Sequence, residues 1–211
     1  MAYSSRRLIP QSLQDSFVKL LSPLITLFSR WGLSPNSFTI AGVVITSFGA
    51  AAFVIGCPRI AGILILLGGF CDTVDGSLAR IAGKASRFGA LLDSTVDRYS
   101  EFIMYLGIAA YFINFEDYST SAATFLALCG SFMVSYARVR AESLGFEAKL
   151  GIMQRSERIV LIGLGALTHV TALKITIWLV AFLANFTALQ RIRCAYNQNL
   201  AGLKEDAVLK T

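Results

Sequence analysis

Five carboxylates, Asp72, Asp75, Asp93, Asp97 and Glu101, fall inside two apolar segments of a chain with only thirteen acidic residues among 211. Charge inside a membrane-spanning segment is costly and tends to mark function. On a helix, Asp72 and Asp75 are three apart and share a face. Gly89, Asp93 and Asp97 follow one another at steps of four and share another. A short turn around Gly83 joins the two segments, so the helices are neighbours. At about 1.5 Å per residue, Asp72 and Asp75 lie roughly 18 to 22 Å below the outer end of their helix, while Asp93 and Asp97 are about 9 and 15 Å up the next one. All four can converge in one cavity near one membrane face. Four converging carboxylates cannot all stay ionised there unaided, so they either take up protons or bind cations. An all-oxygen set favours Mg²⁺ or Mn²⁺ over Zn²⁺. Two such ions about 3.5 to 4 Å apart suit a phosphoryl displacement. Ion pairing with Arg80, Arg87 or Arg98 is the plainer alternative. It is expected for Arg98, but it cannot absorb five acids on two adjacent helices.

The elements that position these groups are those of an all-α, polytopic membrane bundle. The chain is 55% hydrophobic and 15% charged, with a mean hydropathy of +0.62. Soluble domains carry about 25% charge. Leu13, Phe17, Leu20, Leu21, Leu24, Phe28 and Trp31 recur at steps of three and four, which predicts an amphipathic interfacial helix over about 12–32. Six spans follow at about 37–55, 60–81, 87–112, 121–144, 157–170 and 173–194. Each crossing needs about 20 residues. Length allows one membrane domain, 1–211, with no separate soluble unit. With both termini in the cytosol, all but two of the 19 basic residues, Arg59 and Lys174, fall on the inner side. This is the bias the positive-inside rule expects, and it argues against a basic nucleic-acid-binding domain. Arg6 and Arg7 precede an amphipathic segment rather than a continuous apolar core, so a cleavable signal is not expected. Cys57, Cys71, Cys129 and Cys194 make no CxxC pair and read as packed or lipid-facing thiols. His169, in an outer loop, has no expected role.

From Asp72 to Asp97 the chain reads DTVDGSLARIAGKASRFGALLDSTVD. Its skeleton, Asp72-x2-Asp75-Gly76-x2-Ala79-Arg80-x8-Gly89-x3-Asp93-x3-Asp97, resembles the signature of the CDP-alcohol phosphotransferase family at every specified position. The spans and the amphipathic lead-in resemble that family as well. The resemblance implies that Asp72, Asp75 and Asp93 ligate the metals. It implies that Asp97 touches the second ion and is the general base on the acceptor hydroxyl. Gly76 and Ala79 would let the nucleotide approach closely, and Arg80 would meet the donor phosphates. Asn36, Ser37, Phe38 and Thr39 match a segment that contacts the CDP moiety, and Ser86 matches a further nucleotide contact. Asn36 could equally cap the first span. The acceptor oxygen would attack the phosphorus bearing the lipid or alcohol, and CMP would leave without a covalent enzyme intermediate.

The acceptor is read from arginines. Arg138, Arg140, Arg155 and Arg191, in SYARVRAESLG, GIMQRSER and LQRIR, could meet over the metal site and bind a phosphate, to which the planar guanidinium is well matched. SYxRxRAE, the following RSER and LDSTVDR resemble the branch that uses inositol phosphate. CDP-diacylglycerol and a small phosphorylated polyol are then the substrates, and relatives imply a homodimer. Glycerol 3-phosphate, free inositol or another small alcohol is the alternative acceptor. A cation or proton transporter would use the same acids differently, but it would be expected to show inverted repeats and broken helices at the midplane. Neither is seen in the sequence.

Overall fold

The computed structural model describes residues 8, 10–83, 86–148 and 150–209. Arg6 and Arg7, which bear on the signal-peptide expectation, lie outside them. Among the described residues there are seven helices and no strand. They are α1 (Gln11–Arg30), α2 (Pro35–Val54), α3 (Pro58–Ile81), α4 (Arg87–Asn114), α5 (Tyr118–Ser143), α6 (Arg155–Thr168) and α7 (Val170–Leu209).

Local chemistry sets these boundaries. Proline opens both α2 and α3, where its fixed φ fits the first turn and its missing N–H costs nothing. The Ser86 hydroxyl caps α4 by accepting from the Gly89 amide at 2.9 Å. Asp117 caps α5 by accepting from the Thr120 amide at 3.1 Å. Gly83, at φ 62°, follows α3 in the left-handed region that glycine enters freely. Among the described residues the two helices expected to be neighbours do not pack along each other: α2 lies against both, and the end of α3 meets the start of α4 at Asp72, Asp75 and Asp93.

Four helices are long and apolar enough to cross a membrane: Pro35–Val54, Pro58–Ile81, Tyr118–Ser143 and, within α7, Val170–Ala201. The protein is therefore membrane-embedded. Two of the six expected spans do not meet that measure, for different reasons. The first fifteen residues of α4 carry Arg87, Asp93, Asp97, Arg98 and Glu101. With 14 residues, α6 reaches only about 21 Å against a core of about 30 Å. The last helix also corrects the expected end at 194: no proline stops it, and it continues as a polar helix to Leu209.

Inside the bundle, α2 packs along α3 and α4, α5 along α7, and α6 between α3 and α7. Small residues permit the closest crossings, as is usual where lipid offers no hydrophobic drive for helix pairing. A Cβ at Gly107 of α4 would lie 2.6 Å from the Ala50 carbonyl oxygen of α2. One at Gly62 of α3 would lie 2.8 Å from the Gly163 carbonyl oxygen of α6. The main core runs through Phe53, Ile65, Ile108, Phe112, Ile162, Leu173 and Ile177. A second, small cluster seats α1 on the back of α3 through Ile25, Val74 and Leu78, with Phe28 and Phe38 against it.

Candidate functional site

Asp72 and Asp75 leave α3 near its end, and Asp93 leaves α4 near its start. Their carboxylates offer oxygens that all lie within 4.8 Å of one another. Asp75 is buried, and its Oδ2 accepts a 2.6 Å hydrogen bond from the Thr39 hydroxyl of α2. Asp93 Oδ1 is buried and has no hydrogen-bond partner among the described residues. A buried carboxylate oxygen without a donor is costly unless something else satisfies it. A hard cation bound by oxygens meets that need, and the donor set suits one.

Asp97 lies one turn further along α4. It accepts from Arg155 Nη1 at 2.8 Å, and the same nitrogen contacts Asp72 Oδ2 at 2.6 Å. Arg98 approaches Asp97 only at 4.0 Å; its short contact is with Glu101, joined by a 2.7 Å bond to the Ser135 hydroxyl of α5. The pairing expected for Arg98 is thus with Glu101. Among the described residues Arg80 reaches no acid, and it donates to the Ser77 hydroxyl at 3.1 Å. One guanidinium set among four carboxylates leaves the site strongly negative, which is a second reason for it to favour cations.

Beside the triad a groove of about 330 Å³ opens between the starts of α2 and α4 and the end of α3. Asn36, Thr39, Gly76, Ala79, Arg80 and Ser86 line it, together with Asp75 and Asp93. Asn36 does not cap α2; Ser34 holds that position, without a side-chain hydrogen bond. Ser37 is exposed and outside the groove lining. Phe38 faces the other way, with its ring centroid 5.1 Å from that of Phe28. Gly76 is informative: a Cβ there would meet only Arg80 Nη1, at 3.8 Å. No protein atom demands glycine in this helix interior, where it costs about 1 kcal/mol relative to alanine. The space it leaves belongs to the groove.

The four arginines grouped from the sequence are not gathered at the acidic triad. Only Arg155 reaches it. Arg138 pairs with Glu142 at 3.0 Å on the surface. Arg140 and Arg191 line a separate, mostly apolar cavity of about 490 Å³ between α5 and α7. Arg191 donates to the carbonyls of Leu150, at 2.8 Å, and Val134. Residues after α5 are held down this way by α7: Gln198 brackets the Glu147 backbone, accepting from its N–H at 2.9 Å and donating to its carbonyl at 2.6 Å. The Met153 amide donates to Thr187 at 3.2 Å.

Arg158 received no role from the sequence. It is fully buried and pairs with Glu101, itself 1% exposed. The only hint was its place in the segment after α5, RSER, one turn beyond Arg155.

Residues 32–193 match the family model described as CDP-alcohol phosphatidyltransferase. Among curated proteins, the archaetidylinositol phosphate synthase of Pyrococcus horikoshii is 43% identical over 162 residues, covering 76% of this chain and 82% of that one. A crystal structure of Mycobacterium tuberculosis phosphatidylinositol phosphate synthase with CDP-DAG bound superposes with a TM-score of 0.76 at 30% identity, covering 84% of this chain and 94% of that one. The same mycobacterial enzyme in complex with manganese and citrate gives a TM-score of 0.74, also at 30% identity, with 82% and 88% covered.

Proposed function

The chain belongs to the CDP-alcohol phosphatidyltransferase family, and from that premise we propose that it transfers the phospholipid group of a CDP-activated lipid to inositol phosphate, releasing CMP. Membership removes the cation or proton transporter. The donor is CDP-diacylglycerol or its ether-lipid counterpart. The product is phosphatidylinositol phosphate or the matching ether lipid. The observation that carries the reading is the joining of an acidic triad to a nucleotide-sized groove through residues common to both, Asp75 and Asp93.

Asp72, Asp75 and Asp93 would hold divalent metal, Mg²⁺ or Mn²⁺, and Asp97 would contribute to a second ion. Bound there, divalent ions would screen the donor's pyrophosphate and stabilise the charge on departing CMP. Thr39 fixes the Asp75 carboxylate by donating to Oδ2. Asn36, Thr39, Gly76, Ala79, Arg80 and Ser86 receive the CDP moiety, with Ser37 and Phe38 supporting the same turn of α2. Asp97 takes the proton of the acceptor hydroxyl as its oxygen attacks the phosphorus bearing the lipid. The bond from that phosphorus to the bridging oxygen breaks, and CMP keeps the electron pair.

Arg155 binds the acceptor's phosphate. It already stands against Asp72 and Asp97, and its buried Nε has no hydrogen-bond partner among the described residues, leaving a donor for an anion. Arg138, Arg140 and Arg191 take part only if the acceptor's arrival draws them inward.

The whole chain, 1–211, forms one membrane domain. Six helices, α2 to α7, pass through the bilayer while α1 lies in its interface. The site and both termini face the cytosol across the cytoplasmic membrane, and two copies of the chain pair. The distribution of basic residues supports the orientation. Exposed Leu13, Phe17, Leu20 and Leu24 support the interfacial role of α1.

The test is CMP release by purified protein supplied with Mg²⁺, CDP-diacylglycerol and, in turn, inositol phosphate, free inositol and glycerol 3-phosphate. Turnover is expected with inositol phosphate. Turnover with glycerol 3-phosphate alone would overturn the acceptor and leave the reaction class standing.

A further inference from the structure

Glu101 and Arg158 are among the most deeply buried charges in the described residues, at 1% and 0% exposure, and neither has a part in the reaction above. Glu101 stands one turn beyond Asp97 on α4, and Arg158 one turn beyond Arg155 on α6. The same two helices are therefore joined twice. One contact, Arg155 to Asp97 at 2.8 Å, lies in the site. The other, Arg158 Nε to Glu101 Oε1 at 2.9 Å, lies behind it. Arg158 Nη1 also donates to the Met153 carbonyl at 3.2 Å, gripping the chain just ahead of Arg155. The remaining oxygen of Glu101 accepts from Arg98, which Ser135 holds from α5.

Arg155 needs such support, because it is the first residue of a 14-residue helix whose N-cap, Gln154, makes no side-chain capping bond. First turns fray when their amide donors are left unmet. Stability alone does not account for the pair. Replacing both members of a buried ion pair with apolar residues of similar volume is often neutral or stabilising.

We propose that Glu101 and Arg158 are positioning residues, a buried cross-brace between α4 and α6 that fixes Arg155 over Asp97 and so sets affinity for the acceptor's phosphate. The inference rests on the acceptor reading above. A wild-type control with each acceptor keeps the two apart, because absence of turnover with inositol phosphate strikes that reading, and an unchanged acceptor KM in the variants strikes the brace.

The experiment compares wild type with Glu101→Leu/Arg158→Met, which removes both charges, and with Arg158→Lys, which keeps the charge but offers one ammonium for three guanidinium contacts. Apparent KM is measured for CDP-diacylglycerol and inositol phosphate separately. In the double variant, KM for inositol phosphate is expected to rise about tenfold or more, with KM for the donor within twofold of wild type. Arg158→Lys should move it the same way by less. The brace acts through Arg155, so the double substitution should add nothing further to acceptor KM in an Arg155→Ala background, as coupled sites do. Unchanged acceptor KM in both variants, an equal rise in both KM values, or full additivity with Arg155→Ala would each overturn the proposal.

Discussion

At the end of the bundle where α3 turns into α4, four carboxylates share few donors, whereas at the opposite end one carboxylate has several. Asp72, Asp75, Asp93 and Asp97 divide Arg155 and the Thr39 hydroxyl among them, and Asp93 Oδ1 receives no hydrogen bond among the described residues. Asp117, past the far end of α4, accepts from the Ser119 hydroxyl, the Thr120 amide and hydroxyl, and Lys174 Nζ at 2.6 Å. Both ends are acidic. Among the described residues only one is fully satisfied. What separates a structural carboxylate from a reactive one here is therefore the supply of donors around it, more than burial or residue type.

Removing members of the two groups should break this comparison where it is strongest. Asp93→Ala, or chelation of wild type with EDTA, is expected to take CMP release to background; the variant should also lose measurable Mn²⁺ binding, read by electron paramagnetic resonance. Activity regained on adding Mg²⁺ or Mn²⁺ to the chelated protein would complete that test. Asp97→Asn keeps shape and removes the proposed base, so kcat should fall by about 10² to 10⁴, with binding of the CDP-lipid retained. Loss of donor binding instead would make Asp97 chiefly a ligand. Arg155→Ala should raise acceptor KM by about 10- to 100-fold, as expected for a charge-assisted hydrogen bond of about 1.5 to 3 kcal/mol. Its donor KM should stay near wild type.

Away from the site, the expected effects are on stability. Gly107→Val drives side-chain atoms into the Ala50 backbone and should destabilise by about 1 to 3 kcal/mol. A lowered Tm in detergent, with unchanged turnover per folded molecule, is the measurable outcome. The smallest effect belongs to Asp117→Asn. The Lys174 ammonium beside Asp117, with bonds from Thr120 and Ser119, holds its carboxyl well below the usual carboxylate range. A depressed folded-state pKa contributes stability that is present above about pH 4 and lost as pH falls toward the folded value. Because the Lys174 side chain is 42% exposed and so screened by solvent, this amounts to less than about 1 kcal/mol. Thermal melts should show wild type and Asp117→Asn converging as pH is lowered below 4.

The acidic half of the site was legible because helical spacing is a local property: Asp72 with Asp75, and Asp93 with Asp97, share faces whatever the rest of the fold does. The arginine half was not. Arg138, Arg140, Arg155 and Arg191 come from three helices, and their relation depends on how α5, α6 and α7 rotate against one another. Charge and a shared place at the expected cytosolic helix ends grouped them, but among the described residues the structure brings only Arg155 to the acids. Arg158 escaped notice for the same reason, since its partner is 57 residues away. Helix positions were readable from periodicity. The short α6 was among them, expected at 157–170 and found with the same length, 14 residues, two positions earlier. One feature was not: the polar run of α7 past Cys194, where hydropathy stops but helix-forming residues continue.

That polar run has a consequence for how little of the chain suffices. A truncation after residue 194 would retain every apolar segment and pass any test of membrane insertion. It would also delete Gln198, whose side-chain amide brackets the Glu147 backbone just upstream of the segment that presents Arg155. The catalytic unit is therefore longer than the hydrophobic unit, and a fusion or tag joined directly after the last lipid-facing turn would cut into the enzyme.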